Sequence, residues 1–244
     1  MREPRVIARL DIKSPNVIKG VRLEGLRVVG DPQALATKYY EAGIDELVYM
    51  DIVASLYNRN SLEDILRRAA ENVFVPLTVG GGVRTVDDVH RLLHSGADKV
   101  AVNTAATRDP SLIKAVAERW GSQCMVLSVE AKRIGPGKWE AFTDNGREHT
   151  YRDVVEWVQE AASLGAGEIL LTSVDQEGTK KGFDIELCRA VTAVVEVPVI
   201  LSGGMGSLAD ARAAVKDGGA DAIAVAHCFH YDLFSVGQVK EAVA

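Results

Sequence analysis

Residues 80–105, GGGVRTVDDVHRLLHSGADKVAVNTA, read again as residues 202–227, SGGMGSLADARAAVKDGGADAIAVAH, with Gly82 matching Gly204 at an offset of 122. That offset is half of the 244-residue chain, so the sequence reads as one half written twice. The same offset lays DELVYMD (45–51) on GEILLTS (167–173) and pairs Glu46 with Glu168. Whatever fold the chain adopts must therefore be built from two like halves.

The unit inside each half is a short β-branched run followed by an amphipathic stretch. Such runs fall at 5–12, 46–52, 73–80, 98–104, 124–130, 168–174, 198–203 and 221–226. Between two of them Val86, Val89 and Leu93 recur at helical spacing until Gly96 stops the pattern. Eight such units in a chain of this size fit one (β/α)8 TIM barrel over residues 1–244, composed of half-barrels 1–122 and 123–244. A doubly wound open sheet shares the periodicity, which by itself does not establish closure. The repeat favours the barrel.

Composition narrows the function classes. At 47% apolar and 25% charged residues the chain is ordinary for a globular protein, and no apolar run approaches the roughly 20 residues that span a bilayer, so no membrane role is expected. A net charge of −6 gives no basic footprint for nucleic acid, leaving a small anion or a protein as the expected partner. Cys124, Cys188 and Cys228 are odd in number and lack CxxC spacing, which argues against a disulfide framework and a zinc site. No metal or cofactor is expected. The opening MREPRVIARLDI enters a strand without the apolar core of a signal peptide, so a cytoplasmic location is expected.

MVLSVEAKR (125–133) is an apolar run that ends in Glu130. Taken alone, a strand-end carboxylate reads as a solvated boundary. By the repeat, however, Glu130 corresponds to Asp11 at the end of RLD, and two carboxylates at opposed C-terminal strand ends of a barrel suit general acid and base work on one substrate. The glycine-rich turns at 80–82 and 203–204 follow the third and seventh strands, where backbone N–H groups can approach phosphates. Two such turns imply a bisphosphate, the alternative being that they only make tight turns. Alternation along the first strand puts Arg5 at the opposite, bottom end of the barrel, and Glu46, Lys99 and Glu168 open the second, fourth and sixth strands. Two bases and two acids there would satisfy one another as a buried ring; four solvent-facing charges are the alternative. Lys13 to Asp31 is long for a connection and is expected to be a lid. Arg9 points inward one layer below Asp11, where Glu130 or Asp11 is the nearest carboxylate, and the expectation is an Arg9–Glu130 ion pair or a network joining them through Asp11, with Glu130 held ionised as a base.

The motifs PLTVGGGVR, GADKVAVNTAA, GAGEILLTSVDQEGTKKGFD and PVILSGGMGS, with LDIK and VIKGV near the start, make the chain resemble the cyclase subunit of imidazole glycerol phosphate synthase over essentially its whole length. The resemblance implies a (β/α)8 barrel that converts a phosphoribulosyl formimino aminoimidazole carboxamide ribonucleotide, with ammonia, to imidazole glycerol phosphate and the aminoimidazole carboxamide ribonucleotide in histidine biosynthesis. It implies that a glutaminase subunit docks on the N-terminal face and supplies the ammonia. Carried over by position, Asp11 and Glu130 are the acid/base pair and Lys19 a substrate-contacting lysine. Asn103, Thr104, Thr172 and Glu177 are substrate-binding, and Gly82, Gly178, Ser202, Gly203, Gly204, Ala226 and His227 lie at the phosphates. Arg5, Glu46, Lys99 and Glu168 resemble a charged ammonia gate, and Asp98 falls on the glutaminase-facing side.

Four positions depart from the family pattern. Glu130 and Glu177 stand where aspartate is usual, His227 where a serine is usual, and Arg9 where cysteine is usual. These departures keep open a paralogue that delivers ammonia to another phosphorylated or nucleotide-linked substrate, and a weakly catalytic barrel that activates a glutaminase. The related sugar isomerase of the same pathway is a further reading; the charged ring and VDQEGT favour the cyclase.

Overall fold

The computed structural model describes residues 3–52 and 62–244. In chain order the strands of the first half are β1 (Arg5–Lys13), β2 (Asn16–Val21), β3 (Glu24–Gly30), β4 (Glu46–Asp51), β5 (Leu77–Gly80) and β6 (Lys99–Val102). Those of the second are β7 (Met125–Gly135), β8 (Lys138–Thr143), β9 (Glu148–Asp153), β10 (Glu168–Ser173), β11 (Val199–Ser202) and β12 (Ala222–Val225). Parallel pairing runs β1–β4–β5–β6–β7–β10–β11–β12, and β12 returns to β1 with Arg5 opposite Ala222. The sheet closes on itself as an eight-stranded parallel barrel with helices between its strands, so the open-sheet alternative is excluded.

Alternation along these strands sorts the apolar residues into two layers. Ile7, Val48, Val126, Leu170 and Ile200 point inward and fill the barrel. Val6, Leu47, Leu127, Ile169 and Leu171 point outward and pack under the helices. Burying each Leu, Ile or Val of this set stabilises the fold by about 1.5–3 kcal/mol. Cys188 and Cys228 are buried, while Cys124 is only half-buried.

The repeat is physical down to its helix caps. Thr85 and Asp88 form a reciprocal capping box at the start of the helix Val86–His94, and Ser207 and Asp210 form the same box before Leu208–Lys216. After these helices the second half carries one extra residue, so that Lys99 and Ala222, which open β6 and β12, are offset by 123.

Strand register fixes how the two halves relate at the top of the barrel. Asp11 pairs with Met50, Glu130 pairs with Thr172, and Met50 and Thr172 are 122 apart. Asp11 and Glu130 are therefore equivalent positions of the two half-barrels.

Beyond each carboxylate the chain rises into an antiparallel ribbon. The segment expected as a lid over Lys13–Asp31 is the ribbon β2–β3, and β8–β9 stands in the same place after β7. Turn residues set the second ribbon: Asp144, Asn145 and Gly146 all take positive φ, at 52°, 59° and 72°. Two predicted strands are shorter than expected by three residues or more. Residues 73–76 stay outside β5, with Phe74 exposed, and β6 stops at Val102 because Asn103 already begins the turn into the helix Thr104–Arg108.

Candidate active site

Arg9 and Asp11 both point into the barrel from β1, as alternation demands. The Arg9 Nε donates to Asp11 Oδ1 at 2.9 Å, and its Nη1 donates to Thr172 Oγ1 at 2.8 Å and Ser202 Oγ at 3.2 Å. Glu130 is bound differently: its Oε2 accepts the Gly146 backbone N–H at 2.8 Å. The expected Arg9–Glu130 ion pair is thus not formed, and the network through Asp11 stops short of Glu130. The guanidinium reaches a carboxylate on its own strand together with two hydroxyls, and these occupy both Nε and Nη1.

Electrostatics separates the two acids. Burial works against the Asp11 charge, but attraction from Arg9 and then Lys19, with the Arg9 hydrogen bond, outweighs it and holds Asp11 below the ordinary carboxylate range. Burial pushes Glu130 up to about 7; the Gly146 N–H and Arg9 oppose this, while Asp144 and Asp11 reinforce it. The expectation that Glu130 is held ionised is therefore reversed. Desolvation dominates because the guanidinium is committed to Asp11.

The top of the barrel is divided into two cavities, and Arg9 lines both. The larger, about 520 Å³, is lined by Gly82, Asn103, Thr104 and Glu130. Sequence reasoning missed further walls of this cavity: Asp51, Arg84 and Arg108, with Asp144, Asn145 and Arg147 from the β8–β9 ribbon. The signal available for the ribbon was the DNG turn after the alternating KWEAFT.

The smaller cavity, about 20 Å³, is lined by Lys19, Glu177, Gly178, Ser202, Gly203, Gly204, Ala226 and His227. It holds about one water. Gly204 sits at φ +113°, where a Cβ would land 2.1 Å from the Gly182 carbonyl oxygen, so this turn admits only glycine. Thr172 lines neither cavity and meets the site as an Arg9 partner, and Asp11, 4% exposed, likewise lines neither.

Lys19 is not a solvated lysine. Its ammonium is buried in an ion pair with Glu177, whose other oxygen accepts the Leu23 N–H at 3.1 Å, while the Glu177 carbonyl accepts the Arg22 N–H at 2.8 Å. One acidic residue after β10 thus pins the β2–β3 ribbon over the smaller cavity. His227 opens a four-residue helix with its ring 4.6 Å from that of Tyr231; burial, then Lys180 and Lys19, lower its pKa below 6.5. Unnoticed in the sequence, His230 is buried with its Nδ1 2.6 Å from the Tyr39 hydroxyl, and burial lowers its pKa to about 4.

At the other end the predicted ring is formed. Arg5 donates to Glu46 at 2.7 Å and to Glu168, and Lys99 binds Glu46 at 3.0 Å and Glu168 at 2.8 Å. Thr78 adds a hydroxyl hydrogen bond to Glu46 at 2.6 Å. Asp98 is exposed on this same end, and its carboxylate accepts the Leu77 N–H at 2.8 Å. Asp45 and Asp221 do the same for Val6 and Val199, which gives Asp98 a role in starting a strand. Among the described residues no helix is long and apolar enough to cross a membrane.

Comparison with known proteins agrees with this geometry. A family described as "Histidine biosynthesis protein" matches residues 5–235. The imidazole glycerol phosphate synthase subunit HisF of Legionella pneumophila is 64% identical over 208 residues, 85% of this chain and 98% of the relative. The HisF subunit of Myxococcus xanthus (strain DK1622) is 52% identical over 97% of this chain and 93% of its own length. That of Mycobacteroides abscessus is 51% identical over 98% of this chain and 95% of its own.

Proposed function

Given that the chain belongs to the histidine-biosynthesis family and, within it, to the HisF cyclase subunits of imidazole glycerol phosphate synthase, we propose that Asp11 and Glu130 are the acid/base pair of the cyclisation. The observation that carries this reading is their equivalence in strand register, facing each other at the top of the two half-barrels, with a glycine-turned cavity on either side.

The substrate is the phosphoribulosyl formimino aminoimidazole carboxamide ribonucleotide, which has a phosphate at each end. One phosphate binds near Gly82, Asn103 and Thr104, where Arg84 and Arg108 supply positive charge. The other binds against Gly178, Ser202, Gly203, Gly204, Ala226 and His227, with Lys19 above them. Seating it requires the Lys19–Glu177 pair to open, because the cavity beneath holds about 20 Å³. The reacting keto carbon then lies at the divide, beside Arg9.

Ammonia forms a C–N bond to that carbon while one carboxylic group protonates the carbonyl oxygen and the other takes a proton from nitrogen. Loss of water gives an imine and, after ring closure and cleavage of the formimino link, the two products. The ammonia comes from a glutaminase subunit docked on the face that carries Asp98, and it enters past Arg5, Glu46, Lys99 and Glu168.

The test is turnover of the bisphosphate substrate by the purified chain with excess ammonium. Formation of imidazole glycerol phosphate supports the assignment. Isomerisation of a sugar phosphate instead, or inert chemistry accompanied by stimulation of a glutaminase, would replace it.

A further inference from the structure

A doubled half-barrel creates a chemical problem. Two carboxylates in equivalent positions of one buried site have like surroundings, and nothing in the symmetry says which of them carries the proton. Catalysis of ammonia addition needs one proton donor and one acceptor at the start of each turnover.

This chain breaks the symmetry directly below the two acids. Arg9 pairs with Val48 across β1–β4, Ser128 pairs with Leu170 across β7–β10, and Val48 and Leu170 are 122 apart, so Arg9 and Ser128 are the equivalent residues below the two acids. A guanidinium thus lies beneath Asp11, and a hydroxyl beneath Glu130. The guanidinium is also held in place, since Thr172 and Ser202 anchor Nη1 while Nε faces Asp11. Among the described residues, the hydrogen bond that Glu130 accepts comes from a backbone N–H.

We propose that Arg9 is a positioning residue that sets the resting proton distribution of the acid pair, keeping Asp11 as the carboxylate and leaving Glu130 as the carboxylic acid. The proposal rests on the cyclase reading of the site. The opposite displacements of the two acids from ordinary carboxylate behaviour agree with the geometry. Other titratable groups face the pair. Lys19 on the ribbon and His230 behind β1 face Asp11, and Asp144 faces Glu130. Lys19 supports the Asp11 charge as Arg9 does; Arg9 also attracts Glu130, which Asp144 and Asp11 oppose, so the preference of Arg9 for Asp11 rests on its Nε contact.

The assignment balances. When the nitrogen lone pair bonds to the keto carbon, Glu130 gives its proton to the carbonyl oxygen and Asp11 takes one from nitrogen, leaving a neutral carbinolamine. When water leaves, Asp11 returns its proton to the departing hydroxyl and Glu130 takes one from nitrogen. The imine and water are formed, and both acids are back in their resting states.

Carboxyl-¹³C NMR of Asp- and Glu-labelled protein tests this without needing turnover, with Asp11→Asn and Glu130→Gln supplying the assignments. In the unmutated protein the Glu130 signal should titrate near neutrality and that of Asp11 only below the ordinary carboxylate range. In Arg9→Gln the Asp11 midpoint should rise by more than one pH unit, and Arg9→Lys should largely reverse that rise. The acid limb of kcat/KM should move with it, lowering turnover on that limb about tenfold per unit. If Arg9→Gln does not fold, Thr172→Val with Ser202→Ala frees the guanidinium and should give a smaller rise of the same sign. An unmoved Asp11 midpoint in these variants, or an Arg9→Lys protein no different from Arg9→Gln, overturns the proposal. Absence of turnover in the unmutated protein would instead remove the cyclase reading, while the titration would still decide the role of Arg9.

Discussion

Arg9 and Asp11 leave the same strand two residues apart, and the guanidinium Nε of one lies 2.9 Å from the carboxylate Oδ1 of the other inside the barrel. The pair is buried, so each charge depends on its neighbour. Asp11→Asn keeps a carbonyl oxygen for the Arg9 Nε but removes the proposed proton acceptor. Turnover should fall about 10²–10⁴-fold, while substrate affinity measured by calorimetry should change little. Near-normal kcat would exclude Asp11 from the chemistry.

Glu130 makes stability depend on pH with a definite sign. Its folded pKa of about 7 lies above the ordinary 4.5, so the unfolded chain ionises first as pH rises. The cost is absent below about pH 4.5, grows through the window up to about pH 7 and is then complete, at on the order of 3 kcal/mol. Urea denaturation should therefore show that Glu130→Gln gains on the unmutated protein between about pH 5 and pH 8. An equal difference at both pH values would contradict the raised pKa.

Much of this was legible in the sequence, and the parts that were not have identifiable causes. Repeat and alternation located all eight barrel strands and predicted the ring of Arg5, Glu46, Lys99 and Glu168, because inward-facing parity is a local property of each strand. The ribbon β8–β9 was missed because KWEAFT is short and its partner EHTYRD is polar; register to β7, not pattern, makes these strands. Arg9 was placed correctly inside the barrel with Asp11 in reach, but the expected link to Glu130 is not formed. Parity gives the direction of a side chain, whereas the choice between Asp11 and Glu130 depends on reach across the barrel and on competing donors such as Gly146.

The ribbon β2–β3 is held by Glu177 through Lys19, Leu23 and Arg22. Glu177→Ala removes two of these contacts, leaving the Arg22 bond to the backbone carbonyl. Hydrogen exchange at Leu23 should quicken by about tenfold or more, the equivalent of about 1.4 kcal/mol of local opening. Unchanged protection would mean that the ribbon is held by its apolar residues instead.

The charged floor separates stability from passage. Glu46 is 1% exposed and serves Arg5, Lys99 and Thr78, so Glu46→Ala should cost about 3–5 kcal/mol in a denaturation experiment. Replacing Glu46 and Lys99 together by Met leaves the Arg5–Glu168 pair intact and should cost far less. In that double variant, glutamine-dependent turnover in the presence of the glutaminase should change while turnover with free ammonium holds. Parallel changes in both would argue against the ring as the ammonia entrance.

In the proposed reaction this barrel adds ammonia to a bisphosphate substrate and closes an imidazole ring with Asp11 and Glu130. The most direct measurement supplies ¹⁵N-ammonium and the phosphoribulosyl formimino aminoimidazole carboxamide ribonucleotide to the purified chain and follows the label by mass spectrometry. The expected result is one ¹⁵N in the imidazole of imidazole glycerol phosphate, none in the released ribonucleotide, and a fall of about 10²–10⁴-fold in the formation of both products in Asp11→Asn. Bound but unconverted substrate, or the same labelled product at an undiminished rate from Asp11→Asn, would contradict it.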